Sequence, residues 1–560
     1  AAAFLASSLA AGQAHADVVR AHALLQCGDV DDAATVFADT LARAQELQLL
    51  TVAVRCQVGL GLVAKARGDA TAAETLFESA IAASEEQRNA LPGDDIRGAF
   101  LLDQLRPYEE VLRIALDACD GAASDASAAR VLVQLERFRA RVLGERLGRS
   151  RPEELSAAYA GPATALRERL SWLYRSAQKL IDDGDDPQPL TAETRRIEHE
   201  LLEHARRQRL TGNANEQASA SAAFEPTRLQ AALDAGQAVV EYGVIDDELF
   251  ACVVTRDRVA VQRRVARWPA VVEAVRSARF QIETMRYGAG VGSHSGLLTR
   301  RSQIAMRRVH DLVWAPIRPL LDGQGSAIIV PHDQLGSLQF AALFDGEKFL
   351  SERMEIAVVA SARVALYGIN HPPCVASRAL VLGESSRLAH ATQEAQLVAA
   401  LFDDAALLLD SAADGTGLRG ASAAADVLHL ACHAEFRSDN PMFSALQLAD
   451  GPFTVQDAEA LHLRQGIVVL SACETGVAAY SRGDEVIGLV RAFMLAGAAR
   501  VVASMWPVDD ATTVKFMTAF YRSLGDGARP AQALRGAQLD LMTTHPHPFH
   551  WAAFTLYGGR

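Results

Sequence analysis

The spacing of apolar residues changes once along this chain. Through about residue 209 the apolar positions lie three or four residues apart, in Ala- and Leu-rich segments typical of amphipathic helices. After Pro226 they gather into short runs rich in β-branched residues, which is typical of strands. The segment 211–223 between them is small, polar and aperiodic, as expected of a linker. The pattern predicts a helical N-terminal part followed by a part built around a sheet.

A short motif occurs twice in the helical part, at an offset of 40 residues. Its first copy is Gly28, Asp29, Ala33 and Phe37, and its second copy is Gly68, Asp69, Ala73 and Phe77. A Gly-Asp turn between two helices, followed by a small residue and then an aromatic one, lets the pair close around the ring. The motif resembles tetratricopeptide repeats and predicts an all-α repeat region over residues 1–150. A general helical bundle is the alternative.

The connector and the C-terminal domain follow this repeat region. Residues 151–226 are predicted to contain a charged pair of helices and the linker, and residues 227–560 to form an α/β domain. Three short runs open that domain and predict an antiparallel meander over residues 238–244, 249–254 and 259–263. Later strands alternate with helical segments and predict a mostly parallel sheet flanked by helices, with strands near residues 327–331, 379–383, 427–431, 467–471 and 501–504.

The clearest helix of this domain is predicted after Cys473. Asp484 and Glu485 could cap its amino end, residues 486–495 would form its body, and Gly497 would end it.

Two reactive side chains follow consecutive strands of the predicted sheet. His433 comes just after the apolar run 427–431, and Cys473 just after the run 467–471. Ligands of open parallel sheets bind beyond the carboxyl ends of the strands, so both side chains are expected to face one crevice. A free Cys is commonly an inert core residue. Cys473, however, precedes Glu474 and a Gly-containing loop, which predicts that its side chain emerges at the sheet edge.

A thiol beside an imidazole can cleave amides. A free thiol has a pKa near 8.5, so at neutral pH it needs a nearby imidazole to become an effective nucleophile. The protonated imidazole can then deliver a proton to the leaving amine. The backbone N–H groups of Ala434 and Cys473 are predicted to form an oxyanion hole at the same crevice.

Several further motifs extend this pattern along the domain. They lie at residues 330–343, 429–436, 441–451, 471–476, 483–493, 501–510 and 547–554. With them, residues from about 229 onward resemble a CHAT domain, a caspase-like clan CD peptidase module often attached to tetratricopeptide repeats. The resemblance implies a Cys473 nucleophile and a His433 general base and acid, with the catalytic part at about 325–560. The family usually has Gly where this chain has Ala434, and a positive φ there would cost Ala about 1 kcal/mol.

Three carboxylates near the nucleophile are candidates for substrate binding. Asp509 and Asp510 follow the strand after the predicted nucleophile helix, and Glu474 follows Cys473 directly. A carboxylate in the pocket for the residue preceding the cut would favour Arg or Lys. The alternative for the Asp pair is a cap on a helix that begins near Thr512.

Other chemistries find less support in the sequence. His429, Cys432, His433 and Cys473 could form a zinc site, but they lack paired-ligand spacing, and no metal or cofactor is predicted. His545, His547 and His550 are separated by prolines and are predicted to lie in a loop or turn. No P-loop, GxSxG or strand-linked GxGxxG motif occurs.

Composition and charge exclude some classes of partner and location. A formal charge of −13 without Lys/Arg blocks argues against nucleic acid as a direct partner. No apolar run reaches the roughly 20 residues of a membrane span, so no membrane insertion is expected. The opening segment 1–10 lacks the basic flank of a signal peptide and is expected to be helical. The seven cysteines are scattered without CxxC pairs, which predicts a reducing, cytoplasmic location.

The leading hypothesis is a cysteine endopeptidase that cuts a protein substrate and whose repeats bind a regulatory protein or peptide. The family resemblance implies a bacterial protein that acts in antiviral defence or cell death. The alternative is a catalytically silent or latent scaffold that binds partners through the repeats. A third possibility is acyl transfer or ligation through the same thioester.

Overall fold

A computed structural model gives the architecture of two compact units, residues 1–138 with 209–222, and residues 139–208 with 223–560. Described here are residues 2–90, 100, 104–121, 124–137, 188–211, 224–287, 295–371, 376–386, 390–435, 437, 443–471, 479–481, 485–506 and 510–559, with isolated positions between 139 and 180.

The first unit is helical throughout its described part. Its helices are α1 (Ala2–Cys27), α2 (Val30–Glu46), α3 (Leu50–Ala66), α4 (Ala70–Ala90), α5 (Leu105–Gly121) and α6 (Asp125–Glu136). Gly28 and Gly68, in the turns after α1 and α3, have φ angles of +90° and +80°. This left-handed conformation is strained for residues with a Cβ, which explains the glycine in both copies of the motif.

The aromatic residues of the two motif copies are the centre of this unit. Phe37 and Phe77 are fully buried. A Cβ added to Gly59 of α3 would lie 2.3 Å from the Phe37 ring, and one added to Gly61 would lie 2.5 Å from Phe77. The helices therefore approach closely only where α3 has no side chain. The predicted repeat-like helical N-terminal region is confirmed.

The second unit contains an eleven-stranded sheet in the order β3-β2-β1-β4-β5-β16-β15-β12-β8-β6-β7. These strands are β1 (Gln237–Ile245), β2 (Glu248–Thr255), β3 (Val259–Arg267), β4 (Ser326–Val330), β5 (Glu355–Val358), β6 (Arg378–Gly383), β7 (Asp404–Leu409), β8 (Val427–Ala431), β12 (Ile467–Ser471), β15 (Arg500–Ser504) and β16 (Phe554–Gly558). Two small sheets comprise β9 (His433–Glu435), β10 (Ala445–Leu448) and β11 (Gly451–Thr454), and β13 (Ala479–Ser481) with β14 (Glu485–Ile487).

The parallel strands of the large sheet form two groups of opposite direction, which meet between β16 and β15. β15 pairs with β16 in antiparallel fashion, whereas β4 and β5, and β12 and β8, pair in parallel. The antiparallel meander β1–β3 and the mostly parallel α/β sheet confirm the predicted fold class. The expectation that the strand at 327–331 shares its direction with the strands near His433 and Cys473 is wrong. β4 runs the opposite way, so its carboxyl end lies at the other edge.

Helices cover this sheet and connect its strands. They are α7 (Gln188–Thr211), α8 (Pro226–Ala232), α9 (Trp268–Tyr287), α10 (Ser295–Val313), α11 (Leu350–Arg353), α12 (Ala362–Asn370), α13 (Ala391–Ala399), α14 (Gly415–Ser422), α15 (Val455–Glu459), α16 (Leu489–Leu495), α17 (Asp510–Gly525), α18 (Pro530–Thr544) and α19 (Pro548–Trp551). The helix predicted from Asp484 begins instead at Leu489, because Glu485–Ile487 pairs with β13 as a strand. It ends as predicted before Gly497, whose φ is +110°.

A buried ion pair lies against the meander side of the sheet. Arg139 Nη1 is 3.2 Å from Glu241 Oε1 of β1, and both side chains are fully buried. Arg139 Nη2 also lies 3.0 Å from His332 Nδ1, beyond the end of β4. The pair joins the segment around Arg139 to the sheet within the second unit.

Candidate functional site

The two strands that precede the predicted dyad are neighbours in the sheet. β8 and β12 pair in parallel, with Ala431 opposite Ser471. Both strands are buried along their whole length, as expected for apolar runs in a doubly covered sheet. His433 and Cys473 each come two positions after one of these paired residues.

His433 begins a new strand instead of a loop. It is the first residue of β9 and lies opposite Gln447 of β10, with its side chain half-buried. Ala434 follows within β9, opposite Leu446, and it is absent from the described residues with positive φ. An extended backbone suits alanine as well as glycine. The cost considered for Ala434 therefore does not arise in this conformation.

The other predicted site residues are distributed as follows. Cys473, Glu474 and Asp509 lie outside the described residues, and Asp510 is the first residue of α17, two positions before the expected start of that helix. Cys432 is fully buried next to His433, as expected of a packed thiol. His545 and His550 flank the short helix α19 or lie within it, and His547 caps that helix through Nδ1, which accepts from the Phe549 N–H.

Beneath the strand ends lies a buried cluster of polar side chains. Ser471 Oγ donates to Glu394 Oε1 at 2.6 Å. His429 Nε2 lies 3.3 Å from the same carboxylate oxygen, off the direction of a good hydrogen bond, so their attraction is mainly electrostatic. His429 is fully buried, and Ser471 and Glu394 are almost so. One carboxylate oxygen thus contacts both strands that precede the predicted dyad.

Tyr521 of α17 completes this cluster. Its hydroxyl lies 2.9 Å from His429 Nδ1. Burial, and then the negative charge of Glu394, hold the pKa of Tyr521 well above its ordinary range. The phenol therefore keeps its proton and can donate it to Nδ1. That direction of the bond belongs to the tautomer that carries its proton on Nε2, the atom that faces Glu394.

A second acid lies at the same sheet edge. Glu384 follows β6, and its N–H donates to the Ala431 carbonyl at 3.0 Å, which extends the sheet by one residue. Its Oε1 accepts from the Ser386 N–H at 3.0 Å. Its Oε2 is buried and has no hydrogen-bond partner among the described residues. Gly383 lies opposite Ala431 in the register of β6 and β8, so Glu384 follows this pair by one residue and His433 follows it by two.

Sequence reasoning missed Glu394 and Tyr521, considered His429 only as a metal ligand and did not predict the bond of Ser471. A signal for Glu394 was present, because it shares the buried helix face of Ala391, Ala395 and Val398.

Within the described part of the chain, no three His, Cys, Asp or Glu side chains are grouped closely enough to hold a metal ion. None of the described helices is both long and apolar enough to cross a membrane.

Comparison with known proteins identifies the C-terminal domain. Residues 303–559 match the family described as the CHAT domain. The resemblance inferred from the motifs is therefore confirmed over residues 303–559.

Individual curated relatives match a shorter part of this chain than the family does. Human tetratricopeptide repeat protein 28 is 36% identical over 130 residues, which is 23% of this chain and 5% of the human protein. The mouse protein is 35% identical over the same length. The chain thus matches a small part of these curated relatives.

Two solved structures align with this chain at low sequence identity. The Saccharomyces cerevisiae separase–securin complex aligns with a TM-score of 0.46 at 10% identity, covering 99% of this chain and 53% of the other. The Arg-specific cysteine proteinase gingipain R aligns with a TM-score of 0.33 at 11% identity, covering 52% of this chain and 74% of that one.

Proposed function

We propose that this protein is a cysteine endopeptidase with Cys473 as nucleophile and His433 as general base and acid. The observation that carries the proposal is the parallel register of β8 and β12, in which Ala431 lies opposite Ser471. Each of these residues precedes one member of the dyad by two positions. The match of residues 303–559 to the CHAT domain supports the same pair.

The proposed reaction has two steps. The Cys473 thiolate attacks the peptide carbonyl while the N–H groups of Ala434 and Cys473 stabilise the oxyanion. The C–N bond then breaks, and the leaving amine takes a proton from the His433 imidazolium, which leaves a thioester. Neutral His433 next removes a proton from water, the hydroxide attacks the thioester, and the acid product and the thiol are released.

The helical repeats are the proposed site for a regulator or substrate. Their support is the repeat-like packing of Phe37 and Phe77 and the similarity to a protein named for tetratricopeptide repeats. A role in bacterial antiviral defence or cell death is proposed from the family resemblance alone.

A conformational penalty at Ala434, where the family usually has Gly, would favour a silent scaffold over an enzyme. In the extended strand β9 it carries no conformational penalty, so this argument for the scaffold is removed. Partner binding through the repeats remains compatible with the peptidase.

Incubation of the full chain with a diverse peptide library, followed by mass spectrometry, tests the proposed function. We expect pairs of products whose masses sum to the substrate plus one water, because hydrolysis consumes one water per cut. Joined products without added water would indicate ligation by the same thioester. An absence of new products, with and without protein partners, would contradict the peptidase.

The same library tests the proposed binding carboxylates. If Asp509, Asp510 or Glu474 contacts the residue before the cut, we expect cleavage after Arg or Lys, because a basic side chain would pair with a desolvated carboxylate. The corresponding Asn and Gln variants should each be compared, and the responsible one should weaken cleavage after basic residues by about tenfold or more. Equal cleavage after basic and neutral residues would exclude this role for all three.

A further inference from the structure

We propose that Glu394 is a positioning residue that holds the two catalytic strand ends in register through Ser471 and His429. This inference rests on the proposed function and adds to it three side chains that do not touch substrate. Glu394 lies on α13, Ser471 at the end of β12 and His429 within β8.

The geometry puts one carboxylate oxygen of α13 in contact with a side chain of each strand. Glu394 Oε1 accepts from Ser471 Oγ at 2.6 Å and lies 3.3 Å from His429 Nε2. Ser471 precedes Cys473 by two residues, and His429 precedes His433 by four. Any shift of β12 along β8 would therefore break one of these contacts. The carboxylate opposes such a shift near the ends of the two strands, just before His433 and Cys473.

Burial makes this arrangement stiff. Glu394 is 4% exposed, Ser471 5% and His429 0%. Water therefore has little access with which to replace a lost contact, and a buried carboxylate without donors is strongly disfavoured. A small displacement of Ser471 thus has a large energetic cost, which is what positioning a nucleophile requires.

Tyr521 extends the network to α17. Its hydroxyl lies 2.9 Å from His429 Nδ1, and a phenol that donates there favours the tautomer with its proton on the side of Glu394. Tyr521 belongs to α17, which begins at Asp510, directly after the segment that contains Asp509. The chain of contacts Tyr521–His429–Glu394–Ser471 therefore links the strands of the dyad to the helix that follows the proposed binding carboxylates.

The experiment measures how fast iodoacetamide alkylates Cys473 as a function of pH, with the modified peptide quantified by mass spectrometry in the full chain. The variants are S471A, E394A and Y521F, with E394Q as the conservative replacement. Gln keeps an oxygen that accepts from Ser471. Matched controls are S302A and Y242F, which remove buried hydroxyls bonded to the Thr299 and Val313 carbonyls of the same unit.

We expect S471A and E394A to lower the alkylation rate at pH 6.5 by about 10- to 100-fold, because a displaced thiol no longer shares a proton with His433. At pH 10 a solvent-accessible thiol is largely ionised without help from an imidazole, so the rates of all variants should converge on that of the wild type. E394Q should stay within about threefold of the wild type, and Y521F should fall between E394Q and E394A. Peptide cleavage should show a lower kcat with an unchanged KM.

Rates within twofold of the wild type for S471A and E394A at pH 6.5 would overturn the inference. Equal losses at pH 6.5 and pH 10 would also overturn it, because they indicate general loss of structure. If E394A does not fold, the alkylation rate of S471A decides whether the inference holds, because that variant removes only one hydroxyl. A wild-type Cys473 that is unreactive at pH 6.5 would refute the proposed dyad itself, whereas a reactive wild type with unchanged variants would refute only the positioning role.

Discussion

The C473A variant is expected to abolish peptide cleavage, and the H433A variant to lower kcat/KM by about 10²- to 10⁴-fold. The first change removes the only proposed nucleophile. The second leaves the nucleophile without its base and leaves the amine without its acid. In H433A the remaining activity should rise with pH toward the ordinary thiol pKa near 8.5, because only the intrinsic ionisation of Cys473 is left.

The measurement is the pH dependence of kcat/KM for one peptide cleaved by the wild type, with C432A and H371A as controls. Cys432 is fully buried. His371 follows α12 directly, and its Nδ1 lies 2.6 Å from the Tyr367 carbonyl. Neither takes part in the proposed chemistry, so both should keep activity within about threefold. Activity that survives in C473A would show that another group cuts the peptide.

Methionine in place of Arg139 is expected to destabilise the second unit by about 3–5 kcal/mol. Glu241 is fully buried, and the substitution leaves its charge without the guanidinium that lies 3.2 Å away. The double variant R139M/E241M should regain most of this loss, since a buried ion pair and a well-packed apolar pair have similar net stability. The pair would then act mainly to fix how the segment around Arg139 packs against β1.

Urea unfolding followed by tryptophan fluorescence measures this effect selectively. All five tryptophans lie in the second unit, at positions 172, 268, 314, 506 and 551. The matched control is R228A, because Arg228 pairs with Glu225 at 2.9 Å while both side chains are largely exposed. That change should cost less than about 1 kcal/mol. A loss below 1 kcal/mol for R139M would contradict the role assigned to the buried pair.

Much of the fold followed from local patterns in the sequence. The turn glycines and aromatic residues at an offset of 40 positions predicted the helical packing around Phe37 and Phe77, because each repeat is stabilised by neighbouring residues. The apolar runs before His433 and Cys473 predicted β8 and β12, because a strand buried on both faces needs apolar residues throughout. The position of His433 beyond β8 followed from the same run.

What the sequence could not predict depends on contacts between distant residues. The direction of β4 relative to β12 is set by β16, the last strand of the chain, which pairs antiparallel to β15. Glu485–Ile487 forms a strand because β13 lies beside it, whereas its local pattern continues a helix. The role of Glu394 depends on Ser471, 77 residues away, and on Tyr521, which approaches from α17.

The most direct test of the proposed dyad is labelling with a peptidyl electrophile that reacts with a thiolate, followed by identification of the modified residue. The expected result is a single adduct on Cys473 that is lost in C473A, persists in C432A and is strongly reduced in H433A. An adduct on another cysteine, or equal labelling of the wild type and H433A at neutral pH, would contradict the pairing of Cys473 with His433.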